Sequence, residues 1–278
     1  MKVKSDLVKK GWKVLWDVVE KSDVVLEILD IRDPEAFRNK KVEERVKRMG
    51  KVLILVLNKA DLVPKWVVEQ WKRYLEQEYP TVVASVWRRK GKGRIKELIL
   101  KLVDKRPVIV CVVGYPNVGK SSIINLLRGE YSARTSSMPG FTRGMQLFNI
   151  TPEIKVFDTP GVFPTETDFV ALYKGALRIE QVGDAVATTA QFIEFLLKKR
   201  PNIFKKYYGI TEKDPFKIIE IFAKKRNMLM KGGQLDLDRA AKRIVRDWQE
   251  GKLVLWHRPP KRPKKIKQQQ QQKYANSL

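Results

Sequence analysis

Val108-Ile109-Val110-Cys111-Val112-Val113 runs without a charge straight into Gly114-Tyr115-Pro116-Asn117-Val118-Gly119-Lys120-Ser121, and helical spacing then continues through Ser122 to Arg128. The apolar run has the composition of a strand buried on both faces. The turn after it matches GxxxxGK[ST] between a strand and a helix, the context in which that pattern binds phosphate. Its glycines let successive backbone N–H groups converge on phosphate oxygens, and the helix over 119–128 adds its positive end. Lys120 is expected to neutralise the outer phosphates and Ser121 to ligate magnesium. Tyr115, Pro116, Asn117, Val118, Gly119 and Ser122 complete the expected cradle.

Upstream, strand and helix patterns alternate: strand Val24 to Leu29, helix Pro34 to Arg48, strand Val52 to Leu57, helix 65–79, strand 81–85 and helix 93–104. Leu7, Val8, Trp12, Leu15 and Val19 place an amphipathic helix over 5–21 ahead of them. Downstream, the Ser/Thr/Pro/Gly-rich loop from Arg134 to Arg143 has the make-up of a mobile switch and precedes two short strands, Met145 to Ile150 and Ile154 to Phe157. This alternation predicts a doubly wound α/β domain with its ligand beyond the carboxyl ends of the strands. After about Tyr173 only helical spacing remains, in Ile179 to Leu197, Phe216 to Leu229 and Leu237 to Trp248, so an all-helical C-terminal domain is expected to follow. The expected divisions are residues 1–175, 176–256 and a tail over 257–278. The tail's Pro, Lys and Gln content offers no apolar face to bury, which predicts disorder until it meets RNA.

Further motifs fall at strand ends on the same rim. Asn58-Lys59-Ala60-Asp61 follows Val52 to Leu57. A carboxylate at Asp61 can accept two hydrogen bonds from guanine N1 and its exocyclic amine, a pairing that adenine cannot return. Taken alone the tetrapeptide also suits an ordinary turn into Pro64. Asp158-Thr159-Pro160-Gly161 closes the strand Ile154 to Phe157, with Asp158 placed to hold a magnesium-bound water and the Gly161 amide to touch a γ-phosphate. By itself DxxG is common and suits a plain turn equally well. Thr142, within Pro139-Gly140-Phe141-Thr142, is the second hydroxyl expected on magnesium, and Ser85 is expected to reach guanine O6 through its backbone. Lys120, Thr142 and Gly161 are the groups expected to act in phosphate chemistry. An ATP-using enzyme would explain Lys120 and Ser121 equally well but leaves 58–61 without a role.

The base-reading segment precedes the phosphate loop, a circular permutation of the Ras-like order. NKAD at 58–61, Ser85, GYPNVGKS at 114–121, PGFT at 139–142 and DTPG at 158–161 together resemble the YlqF/YawG family of circularly permuted GTPases. Lys231 to Ala241 and Arg246 to Lys252 resemble that family's C-terminal helical domain, so the likeness covers about residues 5–256. The resemblance implies a P-loop GTPase domain, GTP and GDP as ligands, magnesium, slow hydrolysis of GTP to GDP and phosphate, and a role in large ribosomal subunit assembly through rRNA. It also implies stimulation by ribosomal particles and by potassium, the latter held by the Asn117 amide oxygen, the competing reading being a turn-favouring asparagine beside Pro116. Val162 stands where Ras-like proteins carry a water-orienting glutamine, and the first 50 residues lack the histidine that bacterial members carry, so no general base is named. The alternative is an RNA-docking protein whose GTP site is a structural or timing switch with negligible turnover. Because the chain after Gly161 runs into the helices, nucleotide state is expected to reposition them.

Composition points the same way. Lysine and arginine number 57 against 31 aspartate and glutamate in 278 residues, a formal charge of +26 that favours a nucleic-acid partner. Arg258, Lys261, Arg262, Lys264, Lys265 and Lys267 meet no acidic residue in the tail, while clusters at 198–200 and 224–226 read partly as solvated helix faces. The lone Cys111 reads as an inert core residue. With His257 as the only histidine, read as incidental, four soft zinc ligands cannot be assembled. Met1 to Lys10 lacks a signal-peptide pattern and no window approaches about 18 uncharged apolar residues, so a cytoplasmic, reducing location off the membrane is expected. The free chain is expected to be a monomer.

Overall fold

The seven residues of β1, Val24–Asp30, are all buried, because a strand flanked by parallel neighbours and covered on both faces has no polar side to present. In the computed structural model, which describes residues 2–129, 146–159 and 167–261, this strand lies inside a six-stranded sheet ordered β3-β2-β1-β4-β6-β5. The other strands are β2 (Val52–Asn58), β3 (Thr81–Val83), β4 (Val108–Val113), β5 (Gln146–Thr151) and β6 (Ile154–Asp158). Every pairing is parallel except that of β5 with β6. The chain moves outward from β1 through β2 to β3, then restarts at β4 on the other side of β1, crosses to the edge as β5 and folds back as β6 beside β4, which puts the topological switch between β1 and β4. In such sheets the ligand crevice opens outside the carboxyl ends at that switch. Register aligns those ends: Asp30 lies opposite Asn58, and Val112 opposite Asp158.

The doubly wound reading therefore holds, with local shifts that have local causes. The pattern expected as one helix over Pro34 to Arg48 is two, α2 (Pro34–Phe37) and α3 (Lys40–Arg48). Asn39 stops the run because its side chain accepts the Val42 amide at 3.3 Å and starts a new helix. Arg38, immediately before it, is buried on Glu43 and Glu78, each at 2.6 Å. The helix expected over 65–79 ends as α4 at Leu75, and that expected over 93–104 runs as α5 from Lys92 to Leu102. Strand β3 stops at Val83, two residues short of expectation, because Ser85 turns away to pair with Lys90. The N-terminal helix, α1 (Lys2–Lys21), buries Leu15, Val18 and Val19, and α6 (Lys120–Arg128) follows the phosphate loop. Cys111 in β4 is fully buried, and desolvation pushes its thiol up to about 12.

Beyond the sheet come α7 (Asp168–Tyr173), α8 (Ala185–Lys199), α9 (Ile203–Tyr208), α10 (Pro215–Lys225) and α11 (Leu237–Gln249). The helix read over Ile179 to Leu197 is interrupted: a single 3-10 turn at Ile179–Gln181 ends, and Asp184 begins α8 by accepting the Ala187 amide at 2.9 Å. The pattern Phe216 to Leu229 is cut at Lys225, after which Leu229 bridges Leu235. Helix α7, on the sheet side of the expected boundary, packs with the helices. The Tyr173 ring stacks on Trp248 at 4.7 Å, and the Trp248 indole N–H donates to the Tyr173 carbonyl at 2.9 Å. Among the described residues no helix is long and apolar enough to cross a membrane.

Candidate functional site

The phosphate loop takes its shape from two glycines at positions where a side chain has no room. Gly114 has φ +141°, and a Cβ there would sit 2.6 Å from the Ile28 carbonyl of the neighbouring strand. Gly119 has φ +101°, and a Cβ would come within 2.3 Å of the Asn58 amide nitrogen. Among the described residues no side chain caps the start of α6, which leaves its first N–H groups for a ligand. Lys120 Nζ folds back onto the Gly114 and Tyr115 carbonyls at 3.1 and 2.9 Å. Burial pulls its pKa down to about 8, against the opposing pull of Asp158. An ammonium held this way is poised to gain from an incoming anion.

The expected base-reading residues converge beside that loop. Asn58 Nδ2 donates to the Val118 carbonyl at 2.8 Å, which ties the end of β2 to the phosphate loop across the sheet. Asp61 accepts a hydrogen bond of 2.5 Å from Ser85 Oγ. The Ala60 amide donates to the Ala84 carbonyl at 3.2 Å, which ties the two loops together. The expected route for Ser85 needs correction. Its N–H donates to the Lys90 carbonyl at 3.1 Å and its C=O accepts from Lys90 at 2.9 Å, so its backbone is committed to a hairpin and its hydroxyl, instead, orients Asp61. The next amide, Val86, makes no hydrogen bond among the described residues.

On the other side of the loop, Ser121 Oγ lies 3.5 Å from Asp158 Oδ2, and burial raises the Asp158 pKa despite nearby Lys120. One hydroxyl and one carboxylate, both hard oxygen donors, are what magnesium takes from protein when phosphates and water supply its remaining ligands. The pair therefore fits that ion. Thr159 Oγ1 donates to the Val112 carbonyl at 2.5 Å and fixes the strand end. Asn117, at φ +60°, donates from Nδ2 to the Gly175 carbonyl at 3.1 Å, which leaves its amide oxygen for other use. Thr142, Gly161 and Val162 lie outside the described residues, as do the loop 134–143 and the tail beyond Lys261.

A polar cluster that the sequence reading passed over joins this site to the helices. Asp30, at the end of β1, is gripped by Arg32 Nε and Nη2 at 3.0 and 2.8 Å and by Lys59 Nζ at 2.9 Å. Burial alone would raise the Asp30 carboxyl, but these cations hold it well below the usual carboxylate range. Arg32 also donates from Nη1 to the Trp248 carbonyl at 2.6 Å and lies 3.9 Å from that indole's centre. Asp33 accepts from Tyr173 Oη at 2.8 Å and pairs with Lys199 at 2.6 Å and with His257 Nε2 at 2.9 Å. Burial opposes its ionisation, yet His257 and Lys199 bring it down to about 2. His257 is therefore not incidental: its carbonyl accepts the Trp71 indole N–H at 2.8 Å, its ring lies edge-on to Trp71, and the Asp33 carboxylate raises its pKa. The available signal was Asp30-Ile31-Arg32-Asp33-Pro34, three charges clustered where an apolar strand ends.

Comparison with known proteins agrees with this geometry. A family model for 50S ribosome-binding GTPases matches residues 109–228, and one for RsgA GTPases matches residues 33–168. A GTP-binding protein of Methanocaldococcus jannaschii is 41% identical over 245 residues, covering 87% of this chain and 65% of the relative. Nucleolar GTP-binding protein 2 of Saccharomyces cerevisiae is 36% identical over 267 residues, covering 91% of this chain and 54% of the relative. The chain thus spans between about half and two thirds of the length of these relatives. The crystal structure of GNP-bound YlqF from T. maritima superposes with a TM-score of 0.65 at 27% identity, covering 91% of this chain and all of that one. GDP-bound YlqF gives 0.64 at the same identity, covering 88% and 98%.

Proposed function

We propose a function from one premise: this chain belongs to the circularly permuted GTPases of the YlqF type. It binds GTP and GDP, hydrolyses GTP to GDP and phosphate, and uses the difference between the two states to dock on rRNA of the large ribosomal subunit. What supports this reading is that Asn58, three residues before Asp61, donates to Val118 of the phosphate loop, while Ser85 donates to Asp61 itself. Asp61 pairs with guanine N1 and its amine, the Val86 amide is the donor available to O6, and Asn58 and Lys59 buttress the base pocket. The amides of 115–122 and Lys120 Nζ hold the phosphates. Ser121 and Asp158, with Thr142, hold magnesium, which neutralises phosphate charge when bound. Asn117 has its amide nitrogen engaged on Gly175, and its amide oxygen is the atom that would ligate potassium.

Val162 cannot orient water, so intrinsic turnover is slow and rises with ribosomal particles and potassium. A monomeric, cytoplasmic protein meets its RNA through the basic helices and the tail. The cluster of Arg32, Asp33, Trp248 and His257 gives the helices a route by which nucleotide state reaches them. The test is competition of labelled GDP by unlabelled GTP and ATP, followed by co-sedimentation with large-subunit precursors. Wild type should discriminate against ATP by at least about a hundredfold, and Asp61→Asn should erase most of that. ATP competing as well as GTP would end the proposal.

A further inference from the structure

Trp87 is 86% exposed, the most exposed large apolar residue among those described. It sits at the tip of a hairpin whose ends are Ser85 and Lys90, joined by hydrogen bonds in both directions. Inside that hairpin the Arg89 amide donates to the Val86 carbonyl at 3.0 Å, and the Arg88 amide to Ser85 Oγ at 3.1 Å. Gly91 closes the base so tightly that a Cβ there would lie 2.8 Å from the Val83 carbonyl. The indole is thus held out by an ordered loop, with its ordering cost already met on folding. Exposure here is not shared by the other tryptophan on the surface: Trp66, at 43%, lies edge-on to Trp256 and under Arg258. Among the described residues nothing comparable covers Trp87.

The surroundings specify the partner. Residues 85–96 contain Arg88, Arg89, Lys90, Lys92, Arg94 and Lys96 and no acidic residue, and of these Arg94 pairs with Glu97 just beyond, at 3.1 Å. Burial and the charge of Lys92 both pull the Lys96 pKa down, as expected where positive charge accumulates. An apolar protein partner would have to desolvate these cations, whereas a strand of phosphates compensates them while its base covers the ring. Duplex offers no free base face, so an unpaired nucleotide is required.

We propose that the 85–90 hairpin is an RNA-docking element on which Trp87 stacks against an unpaired base, with Arg88 and Lys90 on the flanking phosphates. The proposal rests on the RNA-binding reading above and assigns it a specific contact outside the helices and tail. Its first residue, Ser85, also holds Asp61, so RNA engaged here touches the same loop that shapes the proposed guanine pocket.

The probe is single-stranded oligoadenylate carrying one 2-aminopurine, titrated with the full chain. Wild type should quench the probe on binding, and a duplex of equal length should not compete for the quenching site. Trp87→Ala should weaken binding about tenfold and abolish the quench, and Trp87→Phe should restore most of both, while the salt dependence of affinity stays that of wild type. GDP affinity serves as the check on folding. If Trp87→Ala binds and quenches like wild type, the stacking site is wrong while the RNA reading stands. If wild type binds neither probe nor rRNA, both fall together.

Discussion

Replacing Arg32 by methionine tests whether the charged cluster between sheet and helices holds the molecule together. The guanidinium makes three hydrogen bonds, two to Asp30 and one to the Trp248 carbonyl, and lies on the Trp248 ring, with the side chains of Arg32 and Asp30 only 3% and 1% exposed. Methionine keeps most of the volume, so the cost comes from stranding the Asp30 carboxylate rather than from a cavity. Removing one partner of a buried pair costs on the order of 3–5 kcal/mol, and Lys59, still 2.9 Å away, argues for the lower end. A loss of about 3 kcal/mol out of a typical total of about 5–15 is large. With a urea dependence of about 3 kcal/mol per molar, the unfolding midpoint followed by circular dichroism should fall by about 1 M. The companion Asp30→Leu, Arg32→Met double variant should be less destabilised than the sum of the single changes, because it strands no carboxylate. A midpoint for Arg32→Met within about 0.2 M of wild type would refute the reasoning.

Three further outcomes follow from the geometry. Gly119→Ala places a methyl group against the Asn58 amide in backbone of φ +101°, so nucleotide affinity should fall at least about tenfold while the circular dichroism spectrum is retained; unaltered affinity in calorimetry would contradict it. Lys120, at about 8 in the free protein, should rise when phosphates arrive, so binding near pH 8 should take up on the order of half a proton, read from calorimetry in buffers of different ionisation heat. Zero uptake would mean that Lys120 does not meet the phosphates. The His257 pKa lies above its ordinary 6.5 in the folded chain, so its contribution to stability is complete below about 6.5 and fades as pH rises through the folded value. Melting temperatures of wild type and His257→Gln should therefore differ most in mild acid and converge in alkali, and a constant gap across that range would argue against the Asp33 contact.

Much of the sheet could be read from the chain because parallel strands must be apolar throughout, and runs such as Val24 to Leu29 admit few other interpretations. The phosphate loop was equally legible, since its glycines serve a backbone shape that other residues cannot adopt. Boundaries were harder. Asn39 and Asp184 interrupt helical periodicity by capping, a contest between local hydrogen bonds and spacing that the spacing alone does not decide. Ser85 was assigned to a strand end, but its pairing with Lys90 depends on a left-handed Arg89, at φ +53°, that no pattern announces. The cluster of Asp30, Arg32, Asp33 and His257 stayed hidden because its members come from both ends of the chain and acquire meaning only on meeting. His257 looked like part of a polar tail, yet Trp71 and Asp33 claim it.

Cys111, sealed in the centre of β4, has a practical corollary. With its thiol at about 12, fewer than roughly one molecule in ten thousand carries the reactive anion near neutral pH, and reagents have no path to it. The native chain thus behaves toward maleimides as though it had no cysteine. A dye pair engineered onto α5 and α10 would report the spacing between sheet and helices in each nucleotide state without any background substitution.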